Sequence, residues 1–195
     1  MANINTPTFR VSYPNVFKAK RNDLNGQDEF SIVALFKKGE DLSALKAAAQ
    51  KAIVDKWGPD KEKWPKNLRS PFRDQAERAK DVDGKRILPA GHEEGAIFLN
   101  LKSKQRPGVV DQNVQDIIDE SQFYAGCFAR ASVNAFAYDQ KGNRGVSFGL
   151  GNIQKVKDGE PLGNRARPEA DFAPIQTEGT TAGAASTGSA TDIFS

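Results

Sequence analysis

The chain has one cysteine and one histidine among its 195 residues, which removes two common ways of stapling a fold. A lone thiol forms no internal disulfide, so a disulfide-framework secreted protein is set aside. One cysteine plus one histidine also falls short of a four-ligand Cys/His zinc site. Long apolar runs are missing as well, and nothing approaches the roughly 18 consecutive residues of a spanning helix. The opening residues MANINTPTFRVSYPNVF lack a charged leader followed by an apolar segment of signal length. A soluble, cytoplasmic protein is the expectation. No Gly-x-x-x-x-Gly-Lys-Ser/Thr phosphate loop and no Gly-x-Ser-x-Gly elbow occurs. No catalytic residue, metal ligand or cofactor is assigned. Charge of one sign is not in great excess either: 28 Lys+Arg stand against 25 Asp+Glu, a net of +3. That imbalance is too small to establish a polyanionic partner by itself.

What is present is unevenly distributed. From Thr180 to Thr191 only Thr, Ala, Gly and Ser occur, a composition that cannot bury enough apolar surface to offset chain entropy. Residues 177–195 are therefore expected to be a flexible, disordered tail, and residues 1–176 a single folded body. The tail ends in Asp192-Ile193-Phe194-Ser195, two large apolar residues beside an acid.

Within the body, Phe9 to Tyr13 alternates like a strand that Pro14-Asn15 would stop. Asp28 to Lys38 is apolar on both parities, as in a strand covered on both faces. Asp41 is placed to N-cap a helix through LSALKAAAQKAIVDKW, with Leu42, Leu45, Ala49, Ala52 and Ile53 on one face and Gly58-Pro59 at its end. Lys61 to Arg86 is basic and broken by Pro65 and Pro71, so an ordered loop or short helical turns are expected there. Gly95 to Gln105, Tyr124 to Tyr138 and Gly145 to Val156 are β-rich, with a short helix expected around Val114 to Glu120. About five strands and one good helix, without βαβ alternation, indicate a mainly β (α+β) body or a partly open barrel.

Strand parity carries the functional information, because side chains alternate between faces. In AIFLNLKSK, Ile97, Leu99 and Leu101 are expected inside. Phe98, Asn100, Lys102 and Lys104 take the solvent face, with Arg106 just beyond. In YAGCFARASVNAFAY the small residues Ala125, Cys127, Ala129, Ala131, Val133 and Ala135 share one parity. Tyr124, Phe128, Arg130, Ser132, Asn134, Phe136 and Tyr138 share the other. Rings interleaved with cations suit single-stranded nucleic acid, since bases stack on flat rings whatever their identity and Lys or Arg follows the phosphates. The stacking set is then Tyr124, Phe128 and Phe98, with Phe136 and Tyr138, and the phosphate set is Lys102, Lys104, Arg106 and Arg130. The plainer alternative puts these rings under the helix or a loop. Elsewhere, Gly91-His92-Glu93-Glu94-Gly95 is expected to be a solvated turn, and Cys127 a buried, inert thiol.

Three blocks, RVSYPNVF at Arg10 to Phe17, FSIVALFKKGEDLSALKAA, and the region from Tyr124-Ala125-Gly126 through Gly145-Val146-Ser147 to Asp158-Gly159-Glu160, resemble a family of phage-encoded single-stranded DNA-binding proteins. These are similar to the replication-associated ones of T7-type phages. The resemblance covers about Phe9 to Phe172. It implies a five-stranded OB-fold barrel and sequence-tolerant single-stranded DNA binding during phage replication or recombination in the host bacterial cytoplasm. It supplies no residue-by-residue binding motif, so the site residues rest on parity. The end Asp192, Ile193, Phe194 is similar to the acidic, hydrophobic tips that dock on replication or recombination proteins, though with one acidic side chain. Two alternatives remain at this stage: a structural phage protein whose aromatic face is a subunit interface, and a metal-dependent nuclease.

Overall fold

A computed structural model describes residues 3–22, 26–140 and 142–163. All of them lie within the unit Met1–Arg165. The body–tail boundary expected at 176/177, and the tip residues Asp192, Ile193 and Phe194, lie outside the described residues.

The described chain is mainly β with a single α-helix. Its strands are β1 (Ile4–Asn5), β2 (Phe9–Arg21), β3 (Asp28–Leu35), β4 (Arg73–Asp74), β5 (Lys80–Val82), β6 (Lys85–Ile87), β7 (Ile97–Ser103), β8 (Val109–Val110), β9 (Phe128–Gln140) and β10 (Asn143–Lys157). The helix α1 (Ser43–Trp57) falls between β3 and β7. One sheet runs β1-β9-β2-β3-β7-β10-β8, β9 pairs additionally with β10, and β4 joins the edge of β7. Most pairings are antiparallel, whereas β10 runs parallel to both β7 and β8. Strands β5 and β6 form a separate hairpin. The described residues thus hold twice the expected number of strands, the additional ones being two or three residues long and too short to show a period of two. No helix among the described residues is long and apolar enough to cross a membrane.

The inner parity of β7 and β9 is the one expected, and β3 and β10 add to the same core. Ile32 and Ala34, Leu99 and Leu101, Ala129, Ala131 and Val133, and Val146, Phe148 and Leu150 are all buried in one cluster. Helix α1 adds Leu45, Ala49 and Ala52 to it. Burying a side chain such as Leu45 is worth about 1.5–3 kcal/mol, which explains why a weakly amphipathic helix holds its place. Gly58 ends α1 as expected, its N–H donating to the Val54 carbonyl at φ 85°.

Four local expectations are corrected. Strand β2 does not stop at Pro14; the β2–β3 register jumps between Ser12 and Asn15. Proline is tolerated at such an irregularity because no ladder bond is demanded of it. Leu42, not Asp41, stands at the N-cap, and the Asp41 carboxylate accepts instead from the Ser43 N–H at 2.9 Å. The segment Val114 to Glu120 is no helix. The Asp111 carboxylate there accepts from the Asn113 and Gln115 N–H groups, and only Glu120–Gln122 forms a 3-10 turn. Short polar side chains compete with the helical ladder in this way. His92 is buried rather than solvated, because its loop folds against the Gln75 carboxamide, which accepts from the Glu93 N–H at 2.8 Å.

Candidate nucleic-acid interface

The outer parity of β3 and β7 aligns Leu35 with Phe98, Val33 with Asn100 and Ser31 with Lys102. Across this strip lies the segment Arg73–Arg78, whose geometry is fixed by a capping box: the Asp74 carboxylate accepts from the Ala76 N–H, and Glu77 accepts from the Asp74 N–H. The Gln75 side chain, wholly buried, anchors the segment by donating to the Phe36 and Ile97 carbonyls at 2.8 and 3.0 Å. Both flanking arginines are thereby aimed at one ring. The Arg73 and Arg78 guanidiniums lie 5.2 and 4.8 Å from the centroid of Phe98.

Arg78 does more than cover Phe98. It donates to Asn100 Oδ1 at 2.8 Å and lies 5.6 Å from the Tyr13 ring. Desolvation lowers its pKa from the ordinary value, as for a cation held partly away from water. Tyr13 is 48% exposed, at φ 45° on the β2 irregularity just before Pro14. Positive φ at a residue with a Cβ is strained, and such strain concentrates where a side chain must be presented in a fixed direction.

Beside this cluster opens a cleft of about 540 Å³, lined among others by Arg69, Arg73, Asn100, Tyr138 and Ser147. Its wall is a strap at Arg69. The Arg69 N–H donates to the Arg144 carbonyl, and the Val146 N–H to the Arg69 carbonyl. The close approach requires glycine at 145, since a Cβ there would stand 2.6 Å from the Arg69 oxygen. Tyr13, Arg78, Asn100, Arg73, Tyr138 and Arg69 therefore form one connected strip of rings, amide and cations.

The residues expected from parity fall in several places. Phe98 is corrected: it is 0% exposed and packs with Val33, Leu35 and Leu162. Its parity assignment holds, but the Arg73–Arg78 segment roofs it, so the guanidiniums present the flat surface in its place. Lys102 lies on the same strip, paired with Glu29 at 2.9 Å, and Tyr138 lines the cleft. Lys104 and Arg106 are exposed beyond the end of β7, with Arg106 5.9 Å from the Phe17 ring. Phe128 and Arg130 project from β9. Lys157 lies 4.8 Å over the Phe128 ring, and Arg130 Nε donates to Gln154 at 2.8 Å. Tyr124 precedes β9, and its hydroxyl donates to Asp158 at 2.8 Å and accepts from the Gly159 N–H. Phe136 lines an apolar cleft against α1.

Parity along single strands missed Tyr13, Arg69, Arg73 and Arg78. Tyr13 sits inside RVSYPNVF, one of the blocks that carries the family resemblance. The arginines sit in the basic stretch 61–86, where nothing in the sequence tells which cations return over the sheet.

A β-rich body with one helix, bearing a strip of rings and guanidiniums beside a polar cleft, has the layout of a module that holds an extended anionic chain along its sheet. Known proteins make the class more definite. The model of a family described as "Enterobacter phage Enc34, ssDNA-binding protein" matches residues 2–182, and the chain belongs to that family. Protein p50 of Acyrthosiphon pisum secondary endosymbiont phage 1 is 30% identical over 162 residues, 77% of this chain and 81% of that protein. Among solved structures, the single-stranded DNA-binding protein of bacteriophage Enc34 in complex with ssDNA superposes with a TM-score of 0.63 at 21% identity, over 83% of this chain and 89% of that one. The gp2.5 single-stranded DNA-binding protein of bacteriophage T7 superposes with a TM-score of 0.54 at 10% identity, over 86% and 98% of the two chains. At these identities the superpositions speak for the fold. The family and the T7-type relatives are those the sequence resembles.

Proposed function

We propose that this chain is a non-enzymatic phage protein that binds single-stranded DNA without sequence preference, inside the host cell, during replication or recombination. The observation that carries the reading is the strip from Tyr13 through Arg78 and Asn100 to the Arg69–Arg73–Tyr138 cleft, in a chain whose family is described by single-stranded DNA binding. An exposed ring stacks any base, and partly desolvated guanidiniums hold phosphates more strongly than fully hydrated ones.

The finer architecture proposed is an OB-fold barrel of five strands. Its support is the ring of pairings β2–β3–β7–β10–β9, closed by β9 onto β2, with β7 and β10 parallel. In this reading Tyr13 is the principal stacking ring, with Tyr138 in the cleft, and Arg69, Arg73, Arg78 and Lys102 hold the backbone. Lys104 and Arg106 extend the track past β7, while Phe128 and Arg130 flank it on β9. Tyr124 and Phe136 take supporting positions. The tip Asp192-Ile193-Phe194 is proposed, from its sequence alone, to dock on replication or recombination proteins.

Fluorescence anisotropy of a labelled oligo-dT at two salt concentrations, with matched duplex as competitor, tests the function. Salt-sensitive binding that duplex does not displace is expected. No binding at low salt overturns it.

A further inference from the structure

Five large hydrophobic side chains are well exposed among the described residues: Tyr13, Val82, Ile87, Val114 and Ile118. Tyr13 belongs to the DNA strip. The other four fall into two pairs on separate segments. Val82 and Ile87, 47% and 50% exposed, sit on the β5–β6 hairpin. Val114 and Ile118, 68% and 86% exposed, sit on the loop between β8 and β9.

The two pairs have opposite electrical surroundings. The hairpin pairs Lys80 with Ile87 and Val82 with Lys85, and cross-strand partners share a face. One face therefore carries both apolar side chains and two lysines, while Asp81 and Arg86 take the other. The loop DQNVQDIIDES, residues 111–121, holds Asp111, Asp116, Asp119 and Glu120 and no lysine or arginine, in a chain that is net basic. Among the described residues, Glu120 alone of these acids has an ion pair, to Lys18 at 3.6 Å.

Both segments are tied to their surroundings by hydrogen bonds. Val114 sits at φ 62°, a genuine outlier for a β-branched residue. The turn is fixed around it by Asp111, whose N–H donates to the Gln115 carbonyl and whose carbonyl accepts from Val114 and from the Gln154 side chain. Gln112 further bonds the Val156 carbonyl. The hairpin is tied back through Arg86, which donates to the Ala76 carbonyl at 2.7 Å. Among the described residues no hydrogen bond or ion pair joins the hairpin to the loop, so neither satisfies the other within one copy.

We infer that the acidic, apolar loop of one copy docks on the basic, apolar face of the β5–β6 hairpin of the next. The occupant is a second copy because the two patches match each other in both respects: two apolar side chains against two, and carboxylates against lysines. Made once per pair of copies, the contact is heterologous and repeats head to tail, giving an open row where the rotation between copies does not close a ring. Resting on the proposed function, such a row would follow the DNA strand, with each bound copy raising the affinity of its neighbour.

The test uses the full chain, a short oligo-dT that holds one copy, and a poly-dT strand that holds many. Ile118→Ser and Lys85→Glu are each expected to weaken long-strand binding about tenfold, as when one apolar or charged anchor leaves an interface. Short-strand affinity should stay unchanged. Asp116→Lys should behave likewise, and the double variant Lys85→Glu/Asp116→Lys should recover, because each reversed loop then meets a reversed hairpin. Equal long-strand affinity in wild type and single variants overturns the contact, as does a double variant no better than either single. An equal loss on the short strand assigns Lys85 to DNA and also overturns it. If wild-type protein does not bind the short strand, the function fails instead. Carbodiimide cross-linking of mixed isotopic copies without DNA then decides the contact: hairpin-to-loop links between copies uphold it, and their absence overturns it.

Discussion

The guanidinium of Arg78 lies 5.6 Å from the centroid of the Tyr13 ring. The pair joins residues from two segments that the sequence separates widely, and it sets an exposed ring beside a partly desolvated cation. In the proposed reading, base stacking and phosphate contact have adjacent anchors there.

Tyr13→Ala is accordingly expected to cost about 1–3 kcal/mol of oligo-dT binding, the value of one base stack, while Tyr13→Phe keeps most of it. Tyr124→Ala should behave differently, since its hydroxyl is held by Asp158 and Gly159. Its main effect should be a lower urea midpoint. Anisotropy and urea melts on the three variants separate the two roles. A binding loss at Tyr124 with none at Tyr13 would move the site to the β9–β10 side.

Lys102 is neutralised by Glu29 at 2.9 Å. Glu29→Gln frees that ammonium for phosphate. Tighter binding at low salt is expected, with a log–log salt slope steeper by about 0.7, the increment for one added contact on a single strand. An unchanged slope would remove Lys102 from the DNA path.

Burial lowers the pKa of His92 from its ordinary 6.5, against the opposing hydrogen bond to the Ala90 carbonyl. Between the two values the unfolded chain binds a proton that the folded chain does not. Stability is thus fully present above pH 6.5, falls as pH drops through the window, and stops falling below the folded pKa. His92 is the chain's one histidine, so His92→Gln should flatten the urea-midpoint profile just below pH 6.5. An unflattened profile would contradict the buried placement.

Burial also pushes the Cys127 thiol up to about 12. At about pH 8 the native chain should be inert to Ellman's reagent, because the thiolate is the nucleophile. Stoichiometric reaction in denaturant and none without it is the expected outcome. Prompt native reaction would mean that the β9 core opens readily.

The linear pattern alone determined a good deal. Alternation fixed the inner faces of β7 and β9, and apolar spacing with Gly58 fixed α1, because period and termination are local properties of the backbone. The ring-and-cation mixture on the outer parity was legible for the same reason, as was the family resemblance in blocks such as RVSYPNVF. Tertiary structure decided which outer residues reach solvent. Phe98 has the outward parity, yet a segment about 20 residues earlier in the chain folds back over it and substitutes Arg73 and Arg78 for its ring. Tyr13 comes forward because β2 passes through Pro14 with a register jump instead of stopping. Alternation tells which way a side chain points from its own strand; what lies above that strand depends on a long-range return of the chain.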